Sequence, residues 1–90
     1  MTSTLWRLIF TRQVRKDARK VAKAGLKSKV QVLWDLLQED PYRTPPRFEK
    51  LVGDLAGTCS RRINIQHRLV YQVLEEEHVV KVIRMWTHYE

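Results

Sequence analysis

Ninety residues, 43% of them hydrophobic, with three glycines and three prolines, describe one globular domain over residues 1–90 and exclude a second domain, a repeat array or a low-complexity tract. Seventeen Lys and Arg against ten Asp and Glu leave a formal charge of +7, so the expected partner is a polyanion: nucleic acid first, an acidic protein second, an anionic membrane surface third. The lone Cys59 excludes an internal disulfide, no Cys or His cluster has zinc spacing, and the apolar run at 5–10 is broken by Arg7 and too short to cross a bilayer.

Residues 4–10 are rich in β-branched, aromatic and aliphatic types and stop at Thr11, a good helix N-cap, which predicts a strand running into a helix. Over 12–24 the small apolar residues Val14, Ala18, Val21 and Ala22 recur at steps of three and four. Arg15, Lys16, Arg19, Lys20 and Lys23 take other positions, giving a basic amphipathic helix that Gly25 ends. A second helix over 27–39 carries the stripe Val30, Leu33, Trp34 and Leu37, and so short a joint makes the pair a hairpin. Asp40-Pro41 and Pro45-Pro46 break the periodicity, and 42–50 reads as a surface loop. Three strands follow, over 58–65, 67–74 and 79–89, with Glu75-Glu76-Glu77 as a charged turn between the last two. The fold class is α+β in the order β-α-α-β-β-β, and the setting is a reducing cytoplasm.

Residues of equal parity in a strand project from one face. Ile63, Ile65, Leu69, Tyr71, Val73, Ile83 and Met85 then form the core set, with His67 on their side. Arg62, Arg68, Arg84, Trp86 and His88 share the open face, provided the turn between the last two strands has an odd number of residues; an even turn flips one strand and scatters them. Arg61 and Arg62 must face opposite ways, and Arg62 has the parity of the arginine face. Val70, Val80 and Val82, read as exposed, leave room for a small pairing surface between two copies.

These residue types suit cleavage of RNA by its own 2′-hydroxyl. That reaction needs a base for the hydroxyl, an acid for the departing 5′-oxygen and fixed positive charge on the phosphorane, and it needs no metal or cofactor. Arg68 offers a guanidinium held on a strand, and His88 a ring near the chain end. Arginines around His88 disfavour its charged form, so its service as an acid depends on bound phosphate or a nearby carboxylate. Glu49 is the carboxylate between Asp40 and Asp54; its service as a base depends on the loop folding over the arginine face.

The order Phe48-Glu49-Lys50-Leu51, Asp54-Leu55-Ala56-Gly57, Ser60-Arg61-Arg62-Ile63, His67-Arg68-Leu69-Val70-Tyr71 and the terminal His88-Tyr89 resembles the Txe/YoeB family of RelE-type bacterial toxins. The resemblance implies a RelE-like fold, an antiparallel sheet packed on a two-helix hairpin. It implies an endoribonuclease that cuts messenger RNA in the ribosomal A site and is restrained by a cognate antitoxin. Residue by residue, it implies Glu49 as general base, Arg68 as phosphate and transition-state contact, and His88 as general acid. Tyr89 and Arg62 match substrate-binding positions. The chain departs from the pattern in its strongly basic first helix, in Val52 where a lysine can assist the site, and in the final Glu90.

A chain this basic calls for an antitoxin with an acidic, partly disordered segment that folds as it wraps the toxin; messenger RNA and ribosomal RNA are the other expected partners. The competing reading is a non-catalytic RelE/ParE-like binding module that blocks a macromolecular target such as gyrase. The set Glu49, Arg68 and His88 distinguishes them, since a pure binder needs no acid and base. A DNA-binding repressor acting alone lacks a recognition-helix pattern.

Overall fold

The computed structural model describes residues 5–45, 47–50 and 57–86. The elements are β1 (Arg7–Phe10), α1 (Arg12–Lys23), α2 (Lys27–Glu39), β2 (Phe48–Lys50), β3 (Thr58–Arg62), β4 (Arg68–Leu74) and β5 (Val79–Arg84). The strands form one five-stranded sheet in the order β1-β5-β4-β3-β2. β1 runs parallel to β5 and every other pair is antiparallel. The α+β class and the helix hairpin stand as the sequence indicates. The stretch read as a loop over 42–50 contributes an additional edge strand, and the parallel β1 makes the sheet mixed.

The helix ends follow from local chemistry. Thr11 Oγ1 accepts the Val14 N–H at 3.3 Å, as an N-cap should, and donates to the Ile83 carbonyl at 2.8 Å, so the same side chain that starts α1 ties it to β5. At the far end Gly25 adopts φ +74. Its N–H donates to Ala22 O, and the Leu26 N–H reaches back to Val21 O, a Schellman ending whose apolar pair Val21 and Leu26 is buried. α1 and α2 then lay Val14, Val21, Val30, Leu33 and Leu37 on a sheet face made of Leu69, Tyr71, Val80, Val82 and Met85. Among the described residues no helix is long and apolar enough to cross a membrane.

The parity reading is corrected at Ile65, placed with the core but 90% exposed in the bend that follows β3, and again at the β4–β5 turn. The turn over 75–78 has four residues, an even number, so β5 is flipped: Tyr71 pairs with Val82 and Val73 with Val80. Val80 and Val82 therefore join the core at 0% exposure, and Val70 is 4% exposed, so these three valines are not the open pairing surface read from sequence. A bulge between Val70 and Tyr71 in the β4–β5 register then restores the alternation, pairing Val70 with Arg84. Arg84 is exposed and Met85 fully buried, as expected, because the bulge undoes what the even turn did.

α1 also buries Asp17, 1% exposed, which the apolar stripe did not single out. Its Oδ2 accepts the N–H of Met85 at 2.9 Å and of Trp86 at 3.3 Å, while Oδ1 accepts from Gln13 Nε2 at 2.9 Å. A buried carboxylate is tolerated when donors surround it, and here it turns the chain as it leaves β5.

Candidate active site

β2 delivers the carboxylate. Phe48 pairs with Arg61 and turns toward the helices, so Glu49, one residue on, faces the other way beside its partner Ser60. Ser60 pairs in turn with Val70, and Val70 with Arg84, which sets a row across four strands on the open face. The adjoining row holds Arg62 directly opposite Arg68.

Arg68 is the centre of this arrangement. Its Nη1 lies 3.3 Å from Glu49 Oε2 and donates to Ser60 Oγ at 3.4 Å, with the side chain 18% exposed against 52% for Glu49. Both distances exceed the 2.7–2.9 Å or so of a tight charge-assisted bond. Arg47, Glu49, Ser60, Arg62 and Arg68 line a cleft of about 400 Å³. Among the described residues three guanidiniums face one carboxylate there. Like charges directly opposite on neighbouring strands destabilise a sheet, so the Arg62–Arg68 pair is a local cost that an anionic ligand would offset.

The structure thus brings together Glu49, Arg62 and Arg68. His88 and Tyr89, with Glu90 and Val52, lie outside the described residues. His67 is 3% exposed, consistent with its core parity, and its ring stacks at 3.7 Å on Trp86, which packs against the core rather than joining the arginine face as parity placed it. His78 stacks on Trp6 at 4.0 Å in the β4–β5 turn, at the opposite end of β4 from Arg68. Ser60 and Arg47 are cleft residues that the sequence reading did not single out. Parity carried the signal for Ser60, which shares that of Arg62; nothing in the sequence marked Arg47, which precedes a strand read as loop. Among the described residues no group of three or more His, Cys, Asp or Glu could hold a metal ion.

The helix-side face at this end of the sheet is also polar. Arg61 is fully buried there, its Nε donating to Tyr71 Oη and its Nη2 to Pro41 O, both at 2.9 Å. Burial pushes the Tyr71 phenol up to about 12 from an ordinary 10.0, against the pull of the Arg61 charge. Tyr42 Oη donates to Glu75 Oε1 at 2.6 Å, and that hydrogen bond, helped by burial, raises its phenol to about 12. Burial likewise raises the Cys59 thiol, which the nearby Lys50 and Arg61 charges only partly oppose.

Comparison with known proteins decides the family. The profile described as YoeB-like toxin of bacterial type II toxin-antitoxin system matches residues 9–89. The chain belongs to this family. Toxin YoeB of Mycobacterium bovis is 35% identical over 75 residues, covering 83% of this chain and 75% of its own. The solved YoeB/ParE toxin from Agrobacterium tumefaciens matches with a TM-score of 0.81 at 30% identity, over 92% of this chain and 99% of that one. The YoeB–YefM complex from Staphylococcus aureus contains a chain matching at 0.77 and 28% identity, over 93% and 98%. This YoeB-like toxin therefore has the RelE-type α+β fold, and its cleft lies on the sheet face away from the two helices.

Proposed function

We propose that this toxin is a ribosome-dependent endoribonuclease that cuts messenger RNA in the A site. The observation that carries the reading is the pairing of Glu49 with Arg68 at 3.3 Å in a cleft that Arg47 and Arg62 also line. A scissile phosphate entering this cleft competes for Arg68 and frees the carboxylate. Glu49 takes the proton of the ribose 2′-hydroxyl, whose oxygen attacks phosphorus. Arg68 and Arg62 bind the non-bridging oxygens as charge gathers there, a role suited to a guanidinium because it stays protonated and presents paired donors. As the bond to the 5′-oxygen breaks, His88 gives that oxygen a proton, leaving a 2′,3′-cyclic phosphate and a free 5′-hydroxyl. Tyr89 helps to position the substrate. The roles of His88 and Tyr89 rest on their place in the sequence motif.

The protein acts in the cytoplasm and is held in check by an antitoxin whose acidic, partly disordered segment folds on binding; the S. aureus relative is described in complex with YefM. Mapping transcript ends after brief induction, with and without assembled ribosomes, tests the proposal. Discrete breaks inside translated codons support it, and intact transcripts favour the non-catalytic binder. Replacing His88→Gln should abolish growth arrest in a protein that still folds, because loss of an acid or base costs about 10² to 10⁴ in rate. Full toxicity of that variant would remove His88 from the mechanism.

A further inference from the structure

We propose that Arg61, buried on the helix-side face directly behind the cleft, is a positioning residue that holds Glu49 within reach of Arg68. Among the described residues β2 has three and pairs along one edge, too little ladder to fix a strand by itself. Arg61 supplies further restraint. It stands opposite Phe48 in the β2–β3 register, and its guanidinium carbon lies 4.9 Å from the centre of the Phe48 ring and 5.9 Å from that of Tyr71. Its nitrogens donate to Tyr71 Oη and to Pro41 O, each at 2.9 Å. One planar group thus touches Pro41 just after α2, Phe48 at the start of β2, and the central strand β4. With Phe48 held against that plane, pleat alternation sends Glu49 to the opposite face, beside Ser60 and Arg68.

Energetics argue that this arginine is more than a packing element. Taking a guanidinium out of water costs several kcal/mol, and a well-packed apolar side chain of similar volume is often neutral or stabilising in its place. Arg61 is 0% exposed, in a position where parity would otherwise place an aliphatic residue. What an aliphatic residue lacks is a fork that fixes a carbonyl and a hydroxyl while its face lies on an aromatic ring. Lysine lacks the fork as well.

The inference rests on Glu49 acting as the base, so that role is measured first. The full-length toxin, Glu49→Ala, Arg61→Met and the double variant are compared for cleavage of messenger RNA on programmed ribosomes, with circular dichroism melts to establish folding. Glu49→Ala cleaving at the parent rate would sink the proposed function itself, independently of Arg61. With that loss in hand, Arg61→Met should lower kcat about 100-fold, the scale of a misplaced catalytic group, with KM changed less than about two-fold. In the Glu49→Ala background the same substitution should change the rate less than about two-fold, since no base remains to misplace. Equal losses in both backgrounds, or a folded Arg61→Met with parent kcat, overturn the proposal. Tyr71 Oη also lies 3.4 Å from Pro41 O, which leaves both groups a partner when Arg61 is replaced. Should Arg61→Met not fold, Tyr71→Phe, which removes the acceptor of Arg61 Nε and keeps the ring, enters the same cycle with the same expectations.

Discussion

Arg61 and Arg62 are consecutive in the chain and stand on opposite faces of the sheet. Arg61 is buried on the helix-side face against Phe48, Tyr71 and a backbone carbonyl, whereas Arg62 is exposed and opposes a second arginine across the β3–β4 ladder. Parity alone assigned them to different faces; what each face offers decides what the charge can do. On the buried face a guanidinium must be matched by fixed acceptors and ring faces, so it serves geometry. On the open face the guanidiniums line a cleft beside Glu49, where a phosphate can reach them. Stability should accordingly reside on one face of this sheet and chemistry on the other.

The sharpest way to break that division is to cut each face separately. On the helix side, Leu37→Ala removes a fully buried side chain and should cost about 2–5 kcal/mol in urea unfolding, a large share of what a domain this size has. On the open side, Arg68→Ala should lower cleavage by about 10²–10³ while moving the urea midpoint less than Leu37→Ala does, because its ion pair with the half-exposed Glu49 is screened by solvent. A midpoint loss comparable to that of Leu37→Ala would erase the distinction between the faces. Asp17→Ala, on the helix side but polar, should cost about 1–3 kcal/mol through the stranded N–H groups of Met85 and Trp86. Asp17→Asn, which keeps an acceptor oxygen, should cost less, and the same melts read both.

The smallest effect concerns alkaline pH. The Tyr71 phenol titrates at about 12 in the folded chain against 10.0 unfolded, so the native state favours its protonated form. Its contribution to stability is complete below pH 10 and is lost as pH rises from about 10 to about 12. Tyr71→Phe should therefore lose less stability than the parent over that window, measured by urea melts at fixed pH. Parallel losses in the two proteins would show that the phenol is not sheltered on the helix-side face.

Much of this was legible along the chain because the signals are local. Thr11 as a cap, Gly25 as a stop and the second helix at 27–39 depend on bonds within a turn or two, and each is found where its residue type places it. The inward His67 and the split between Arg61 and Arg62 follow from the pleat. β2 was not legible, since three residues with one inward aromatic make no alternation to detect. The burial of Asp17 was not legible either, because its partners lie 68 and 69 residues away.

What the sequence determined by itself, then, was the sidedness of each strand, the ends of each helix, the surplus of cations and the motif order that marks the family. Tertiary structure alone decided that Glu49 would stand beside Arg68 and that Arg84 would return to the open face. Side-chain alternation is written residue by residue. The register between strands depends on turn length, a bulge and the packing beneath, and those are settled only when distant segments meet.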